Sequence, residues 1–260
     1  MTSNFIHWTD QELLDDLNSP VVIAAFEGWN DAGEASTSAL RYFQERFSAT
    51  EIGTIESEEF YDFTISRPVI QIPDDKREIL WPSTKIYATK VSGSEHDLVI
   101  VIGHEPQLRW RTFTEQIAEI TSMVNSHMVV TLGSLLTDIP HSRPVKVFGS
   151  SDDSALAKKL NLNPSTYEGP TGIVGVVNNV MREKGIPSLS LWAGVPSYVS
   201  GANSPKAALA LVERLAEVLQ IGIACTDLEI ASAAYERQIN ELVAEDLDTA
   251  EYVNQLEEDF

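Results

Sequence analysis

Five short apolar runs fix most of what this chain can fold into. Pro20-Val21-Val22-Ile23-Ala24-Ala25-Phe26 and Asp97-Leu98-Val99-Ile100-Val101-Ile102-Gly103 are continuous rather than alternating, and rich in β-branched side chains. Such strands belong where helices cover both faces of a sheet, because successive side chains then both meet a dry layer. Met128-Val129-Val130-Thr131-Leu132-Gly133, Val145-Lys146-Val147-Phe148-Gly149 and Ser188-Leu189-Ser190-Leu191-Trp192-Ala193-Gly194 extend the series. Four of the five end in glycine, and Phe26 leads into Glu27-Gly28. Strand, glycine-bearing loop, then helix is the grammar of α/β folds.

Helical segments fall between the runs. Glu34 to Phe47 follows the first, and Phe113 to Val124 follows the second with Phe113, Ile117, Ile120 and Val124 on one stripe. Ser154 to Leu160 is a short helix, and Ile173 to Lys184 stops before Gly185, a natural residue beyond a C-cap. Ser204-Pro205 supplies an N-cap and a first-turn proline for a helix to Leu219. Thr50 to Val91 breaks the alternation with β-branched pieces (Ile52 to Ile55, Val69 to Ile72, Lys85 to Val91), which are expected to add antiparallel strands. The predicted architecture is α/β: a three-layer α/β/α sandwich with a mixed, mainly parallel sheet, plus a C-terminal helical extension. Residues 1–225 form the core in this reading and 226–260 an acidic helical hairpin or extension. In the latter stretch eleven acidic residues face one arginine and no lysine. Leu228, Ala231, Tyr235, Ile239 and Leu242 still keep helical spacing, and a second helix is expected around Asp248 to Leu256. Such a stripe can pack on its own domain or meet another protein.

Charge narrows the function classes. Subtracting 39 Asp+Glu from 18 Lys+Arg leaves −21 on 260 residues. Nucleic-acid binding needs clustered cations to neutralise phosphates, and anionic lipid needs the same, so neither partner is expected. The single cysteine, Cys225, excludes an intramolecular disulfide framework and a multi-cysteine metal site. Met1 to Asp16 lacks the basic and apolar regions of a secretory signal, and the longest apolar runs are far too short to span a bilayer. A soluble cytoplasmic protein without metal or cofactor is the expectation.

Ligands of open α/β sheets sit beyond the carboxyl ends of the strands, so the loops there hold the candidate chemistry. In Glu27-Gly28-Trp29-Asn30-Asp31-Ala32-Gly33 the glycines permit a tight turn, and Asp31 can cap the following helix. Asn30 and Asp31 are therefore turn-and-cap residues first and site candidates second. Gly103-His104-Glu105-Pro106-Gln107-Leu108-Arg109-Trp110-Arg111 gathers an imidazole, a carboxylate and two guanidiniums. His104 or Glu105 could act as a general base and Arg109 or Arg111 bind an anion, or these groups could pair to fix the loop. The spacing is not HExxH, so no zinc-hydrolase site is read there. Asp138, His141 and Arg143 again mix acid, base and cation in a proline-stiffened loop, and with Ser134 they sketch a triad. Gly133-Ser134-Leu135 is not the GxSxG elbow, however. Glu168-Gly169-Pro170-Thr171-Gly172-Ile173 runs into a helix whose N-terminal N–H groups suit an anion, making Gly169, Thr171 and Gly172 candidates. Equally, Gly172 and Gly175 allow close helix–sheet packing. Ser66-Arg67-Pro68-Val69 is echoed by Ser142-Arg143-Pro144-Val145, too short a match to mark a duplication.

In order along the chain, Phe26-Glu27-Gly28-Trp29-Asn30-Asp31-Ala32-Gly33, Ser66-Arg67-Pro68, Gly103-His104-Glu105-Pro106 with Trp110-Arg111, Leu136 to Pro144, Gly169-Pro170-Thr171-Gly172-Ile173, and Val195-Pro196-Ser197-Tyr198 through Ser204-Pro205-Lys206-Ala207 resemble the proteasome-assembly-chaperone-2-like family, in its actinobacterial branch. The resemblance runs from about Pro20 to Leu219. It implies a nucleoside phosphorylase/hydrolase-like α/β/α fold and a homo-oligomer, with a trimer favoured. It supplies no catalytic residues. Relatives that dock on the proteasome can end in a hydrophobic–tyrosine–any residue tail; this chain ends Glu257-Glu258-Asp259-Phe260, with Asp259 at the tyrosine position, so docking by that tail is not expected. The leading functional expectation is a non-enzymatic interaction or assembly-chaperone-like protein. The alternative is a nucleoside- or anion-binding protein or a hydrolase/phosphorylase-like enzyme. A third reading makes Trp29, Trp110 and Trp192 the anchors of a subunit contact.

Overall fold

The buried runs become strands because their side chains alternate between two dry layers. A computed structural model describes residues 5–151, 153–162, 167–199 and 201–259. The strands are β1 (Ile6–Trp8), β2 (Val21–Glu27), β3 (Thr50–Ile55), β4 (Val69–Gln71), β5 (Glu78–Leu80), β6 (Thr84–Thr89), β7 (Leu98–His104), β8 (Met128–Thr137), β9 (Val147–Ser150) and β10 (Ser188–Pro196). The helices are α1 (Glu12–Asp15), α2 (Ala35–Arg46), α3 (Trp110–Met123), α4 (Ser154–Lys159), α5 (Ile173–Glu183), α6 (Pro205–Leu219), α7 (Thr226–Glu245) and α8 (Leu247–Asp259).

Eight strands form one sheet in the order β1-β3-β6-β7-β2-β8-β10-β9. The central neighbours β7, β2, β8 and β10 pair in parallel, while β6, β3, β1 and β9 join antiparallel. Two successive reversals bring β3 back to the direction of β7, so five of the eight strands point one way. The sheet is mixed and mostly parallel, with helices on both sides. Val21, Ile23 and Ala25 pack with Ala39, Leu40 and Phe43 of α2 and Leu211 and Leu215 of α6. Their neighbours Val22, Ala24 and Phe26 pack on the other face with Phe113 and Ile117 of α3 and Val174 and Val177 of α5. Every residue from Val21 to Phe26 is fully buried. Burying each such large apolar side chain contributes roughly 1.5–3 kcal/mol, which is why this run sits at the centre of the sheet.

Three segments depart from the sequence expectations. Val145 to Gly149 is not a buried strand: β9 begins at Val147, runs antiparallel on the sheet's edge, and leaves Phe148 53% exposed. An edge strand has one pairing partner and little cover, so its apolar side chains do not report burial. Val69 to Ile72 does not join the main sheet. β4 pairs antiparallel with β5 in a separate hairpin whose residues are exposed on both faces. The stripe of α7 holds at Leu228, Tyr235 and Ile239 but moves by one residue at its other two positions. Leu228, Ser232, Tyr235, Ile239 and Val243 face inward, whereas Ala231 is exposed and Leu242 is 60% exposed. Helix α7 packs along α6, and α8, longer than expected, folds back on α7.

Phe113 locks α3 to the sheet through edge-on contacts with Phe26 (5.7 Å) and Phe60 (5.3 Å). Phe113→Ala should lower the free energy of unfolding by about 3–5 kcal/mol, the range for truncating a buried aromatic. Urea denaturation at unchanged slope measures it; a loss under about 1 kcal/mol would mean that the two rings close the gap.

Candidate functional site

Parallel pairing sends the carboxyl ends of β2, β7, β8 and β10 to the same edge of the sheet, so the loops singled out in the sequence share one rim. Their side chains are then divided by the bonds they make.

The β2 loop is tied down from within. Gly28 (φ 113°) and Gly33 (φ 59°) take left-handed conformations, and the turn aims Asp31 at the start of α2. Its Oδ1 accepts from the backbone N–H of Ser36 (2.8 Å) and of Thr37 (3.2 Å) and from the Ser36 hydroxyl (2.6 Å). Its Oδ2 accepts from the Thr37 hydroxyl (2.5 Å). Asp31 is 6% exposed and acts as a cap. Asn30 is 1% exposed, and its Nδ2 donates to Glu105 Oε1 at 2.7 Å.

Glu105 joins three elements. The same Oε1 accepts the backbone N–H of Ile173, the first residue of α5, at 2.7 Å. The anion expected at that helix N-terminus is thus the protein's own carboxylate, placed where the helix dipole favours it. Gly172 is the adjacent N-cap, where a Cβ would overlap the Asn30 amide, so only glycine lets the two loops close. Gly169 and Thr171 lie exposed ahead of it. Arg109 pairs with Glu59 and lies over the Phe5 ring, 5.3 Å from its centre, which fixes the loop; Arg111 is exposed on the first turn of α3.

His104 belongs to a different group. It is the register partner of Glu27, each being the last residue of its strand. His104 Nδ1 meets Glu27 Oε2 at 2.7 Å, and Arg41 of α2 pairs with the other carboxylate oxygen. The bond to Glu27 raises the His104 pKa above its ordinary 6.5 against the opposing effect of burial. The bond to His104 and then the Arg41 guanidinium lower Glu27 below its ordinary 4.5, again against burial. A cavity of about 290 Å³ opens beside this triad, lined also by Trp81, Ser83, Lys85 and Tyr87. Among the candidates only His104 lines it.

Asp138, His141 and Arg143 do not join that group. His141 is 3% exposed and both ring nitrogens are engaged. The Tyr198 hydroxyl accepts the backbone N–H of His141 (2.7 Å) and lies 2.7 Å from Nδ1. Burial pushes the Tyr198 pKa up to about 12, so the hydroxyl keeps its proton. The Asn240 Oδ1 of α7 can only accept, so His141 Nε2 donates to it at 3.1 Å. Nearby, Tyr252 of α8 donates to Asp138 (2.9 Å), Ser142 donates to Glu257 of α8 (2.5 Å), and Lys206 bridges the His141 carbonyl and Glu236 of α7 (2.5 Å each). This loop is the seat of the C-terminal helices. Arg143 is exposed at its edge, and Ser134 donates to the Ala32 carbonyl (2.8 Å), so no triad forms. Of the three tryptophans, Trp29 is 63% exposed, while Trp110 and Trp192 are half-buried against the core. Phe260, the end of the acidic tail, lies outside the described residues.

The sequence reading missed Glu27, Arg41, Lys85, Trp81 and Tyr87. A signal existed for the first: Glu27 and His104 each end an apolar run, and parallel neighbours bring run ends together.

A family model described as the PAC2 family matches residues 25–243. The crystal structure of a PAC2 family protein from Streptomyces avermitilis superposes with a TM-score of 0.85 at 39% identity, over 90% of this chain and 99% of that one. A proteasome-assembly chaperone homologue from Mycobacterium tuberculosis gives 0.82 at 43% identity, over 90% and 99%. An archaeal proteasome activator from Pyrococcus furiosus shares the fold, with a TM-score of 0.74 at 16% identity over 93% and 99%. No curated protein matches the sequence.

Because the His104 pKa is raised on folding, its contribution to stability is full below pH 6.5 and is lost as pH rises through the folded value. That of Glu27, lowered, is present above pH 4.5 and is lost as pH falls through its folded value. The pair thus stabilises most between these two ordinary values. NMR titration of the His104 ring should give a pKa above 6.5 that drops below 6.5 in Glu27→Gln, where burial and Arg41 act unopposed. An unchanged midpoint would mean that the pair does not hold in solution.

Proposed function

This chain belongs to the PAC2 family, and from that premise we propose that it is a non-enzymatic interaction protein of the proteasome-assembly-chaperone kind. The observation that carries the reading is its 43% identity, over nearly the whole of both chains, to a proteasome-assembly chaperone homologue. The rim supports it, because groups that could do chemistry are occupied with holding the fold. Asp31 caps α2, Glu105 binds Asn30 and the N–H of Ile173, and His141 is sealed between Tyr198 and Asn240.

The surface supports it as well. The acidic faces of α7 and α8 suit a partner with a basic surface, since complementary charge steers encounter. The β4–β5 hairpin leaves Val69, Ile70, Ile72, Ile79 and Leu80 each 45–66% exposed. An apolar projection of this size is the mark of a contact surface, and a two-stranded hairpin is marginal on its own in water. We assign it to self-association, with a trimer as the working form, and treat residues 1–225 as the core and 226–260 as the appended acidic hairpin. No described helix is long and apolar enough to cross a membrane, and the cytoplasm is the proposed compartment.

Purified chain mixed with the proteasome α- and β-subunits of its own organism should co-migrate with an α-subunit intermediate in native mass spectrometry and raise the yield of assembled particles. Absence of any complex together with an unchanged yield would reject the assembly role. Ile70→Glu with Ile79→Glu should turn the oligomer into monomer in sedimentation velocity while leaving the far-ultraviolet circular dichroism of the fold in place, since neither residue belongs to the core clusters. An unchanged mass would move the subunit contact elsewhere.

A further inference from the structure

The cavity beside Glu27 and His104 is built from one group of each kind that a small anion with a ring would need. It lies between α2, which supplies Arg41 and Gln44, and the exposed ends of β6 and β7, which supply Lys85, Tyr87, Ile102, Gly103 and His104. The segment Trp81-Pro82-Ser83, leaving the exposed hairpin, forms its outer wall. At about 290 Å³ it is at the small end of ligand sites and holds a one-ring molecule.

Its hydrogen-bonding capacity is unbalanced towards donors. Glu27 is the one carboxylate in the lining, and its two oxygens are taken by His104 Nδ1 and Arg41. What remains is weighted to donors: Arg41 and Lys85 can only donate, while the Ser83 and Tyr87 hydroxyls and the Gln44 amide can donate or accept. With Nδ1 committed to Glu27, the His104 Nε2 has no partner among the described residues, and neither has the Tyr87 hydroxyl or that of Ser83. Arg41 retains guanidinium N–H groups, and Lys85 spends one donor on Glu51 at 2.9 Å. Arg41, Lys85 and His104 therefore meet two carboxylates, Glu27 in the lining and Glu51 beside Lys85, and Arg41 and Lys85 keep donors that neither carboxylate uses. The overall charge of −21 does not cancel this, because charges beyond about 8–10 Å are screened at physiological salt while contacts inside the cavity are not. Trp81 adds a half-exposed ring face, steadied from behind by Phe63 at a centroid distance of 4.8 Å.

We propose that this cavity binds a small phosphate monoester carrying an aromatic ring, with its dianionic head on Arg41, Lys85 and His104 and its ring against Trp81. A phosphate fits better than a carboxylate because its three terminal oxygens can accept from Arg41, Lys85 and the neighbouring hydroxyls, more donors than the two oxygens of a carboxylate can take. Glu27 is a positioning residue: it fixes the imidazole so that Nε2 is left for the ligand. The inference is independent of the assembly role, and either can fail without the other.

Isothermal titration calorimetry of the full chain with phenyl phosphate tests it, with inorganic phosphate and benzoate as the other titrants. Saturable one-to-one binding is expected, with phenyl phosphate tighter than either other anion by about tenfold or more, a difference of about 1.4 kcal/mol. Lys85→Gln and Trp81→Ala, both at exposed side chains, should each weaken it by about tenfold while leaving the thermal midpoint in place. No saturable heat up to about 10 mM would overturn the proposal. So would phenyl phosphate binding no tighter than inorganic phosphate, or binding unaffected by both substitutions.

Discussion

Burial of both faces of β7, β2, β8 and β10 leaves these strands one outlet for polar chemistry, the rim at their carboxyl ends. Side chains that alternate between two dry layers cannot carry charge along the strand without a desolvation cost of several kcal/mol. Charged side chains therefore begin where the runs end, at Glu27, His104 and Asp138. Everything else in the molecule answers to that geometry. The helices α2 and α5 start at the same rim, so their unpaired N–H groups meet the loops of neighbouring strands, and carboxylates from those loops satisfy them.

The rim consequently works as a clasp. Asp31 and Glu105 are acidic groups at helix N-termini, one serving its own helix and the other a helix 68 residues away in sequence. A charged group bonded in this way contributes about 1.5–3 kcal/mol per bond, more than a neutral pair does. Glu105 is the more consequential, since it holds the loops after β2 and β7 and the start of α5 to one oxygen. On the β8 side the Asp138–Ser142 loop does the same for α7 and α8 through Tyr252, Asn240 and Glu257. A fold that spends its imidazole and carboxylates on such bonds presents partners with its surface: an acidic helical face, an apolar hairpin, and the donor-lined cavity at Glu27 and His104.

Much of this was legible in the chain. The continuous runs gave the central strands, and Ser204-Pro205 gave the start of α6, because these signals are local and each has one physical cause. Asp31 as a cap was likewise readable from its position ahead of a helix. What failed was information held in tertiary partners. Val69 to Ile72 has the composition of a sheet strand, yet nothing in it says that β6 is already paired on both sides and leaves no place to join. His141 looked available for proton transfer because its partners, Tyr198 and Asn240, lie 57 and 99 residues away. Gly172 signalled an open anion site, and only the approach of Asn30 and Glu105 shows that the site is closed from within. One position of the α7 stripe moved because Ser232 is buried beside the exposed Ala231, and a polar residue on an inward face carries no periodic signal, whereas Leu228, Tyr235 and Ile239 lie inward as their spacing predicts.

Glu105 and Asn30 act together to close the rim, and a double-mutant cycle reads that coupling directly. Unfolding free energies of the wild type, Asn30→Ala, Glu105→Ala and the double variant should show a coupling above about 1 kcal/mol, as contacting residues in one network do. Losses that simply add, within about 0.5 kcal/mol, would contradict it and return Glu105 to the groups available for other chemistry.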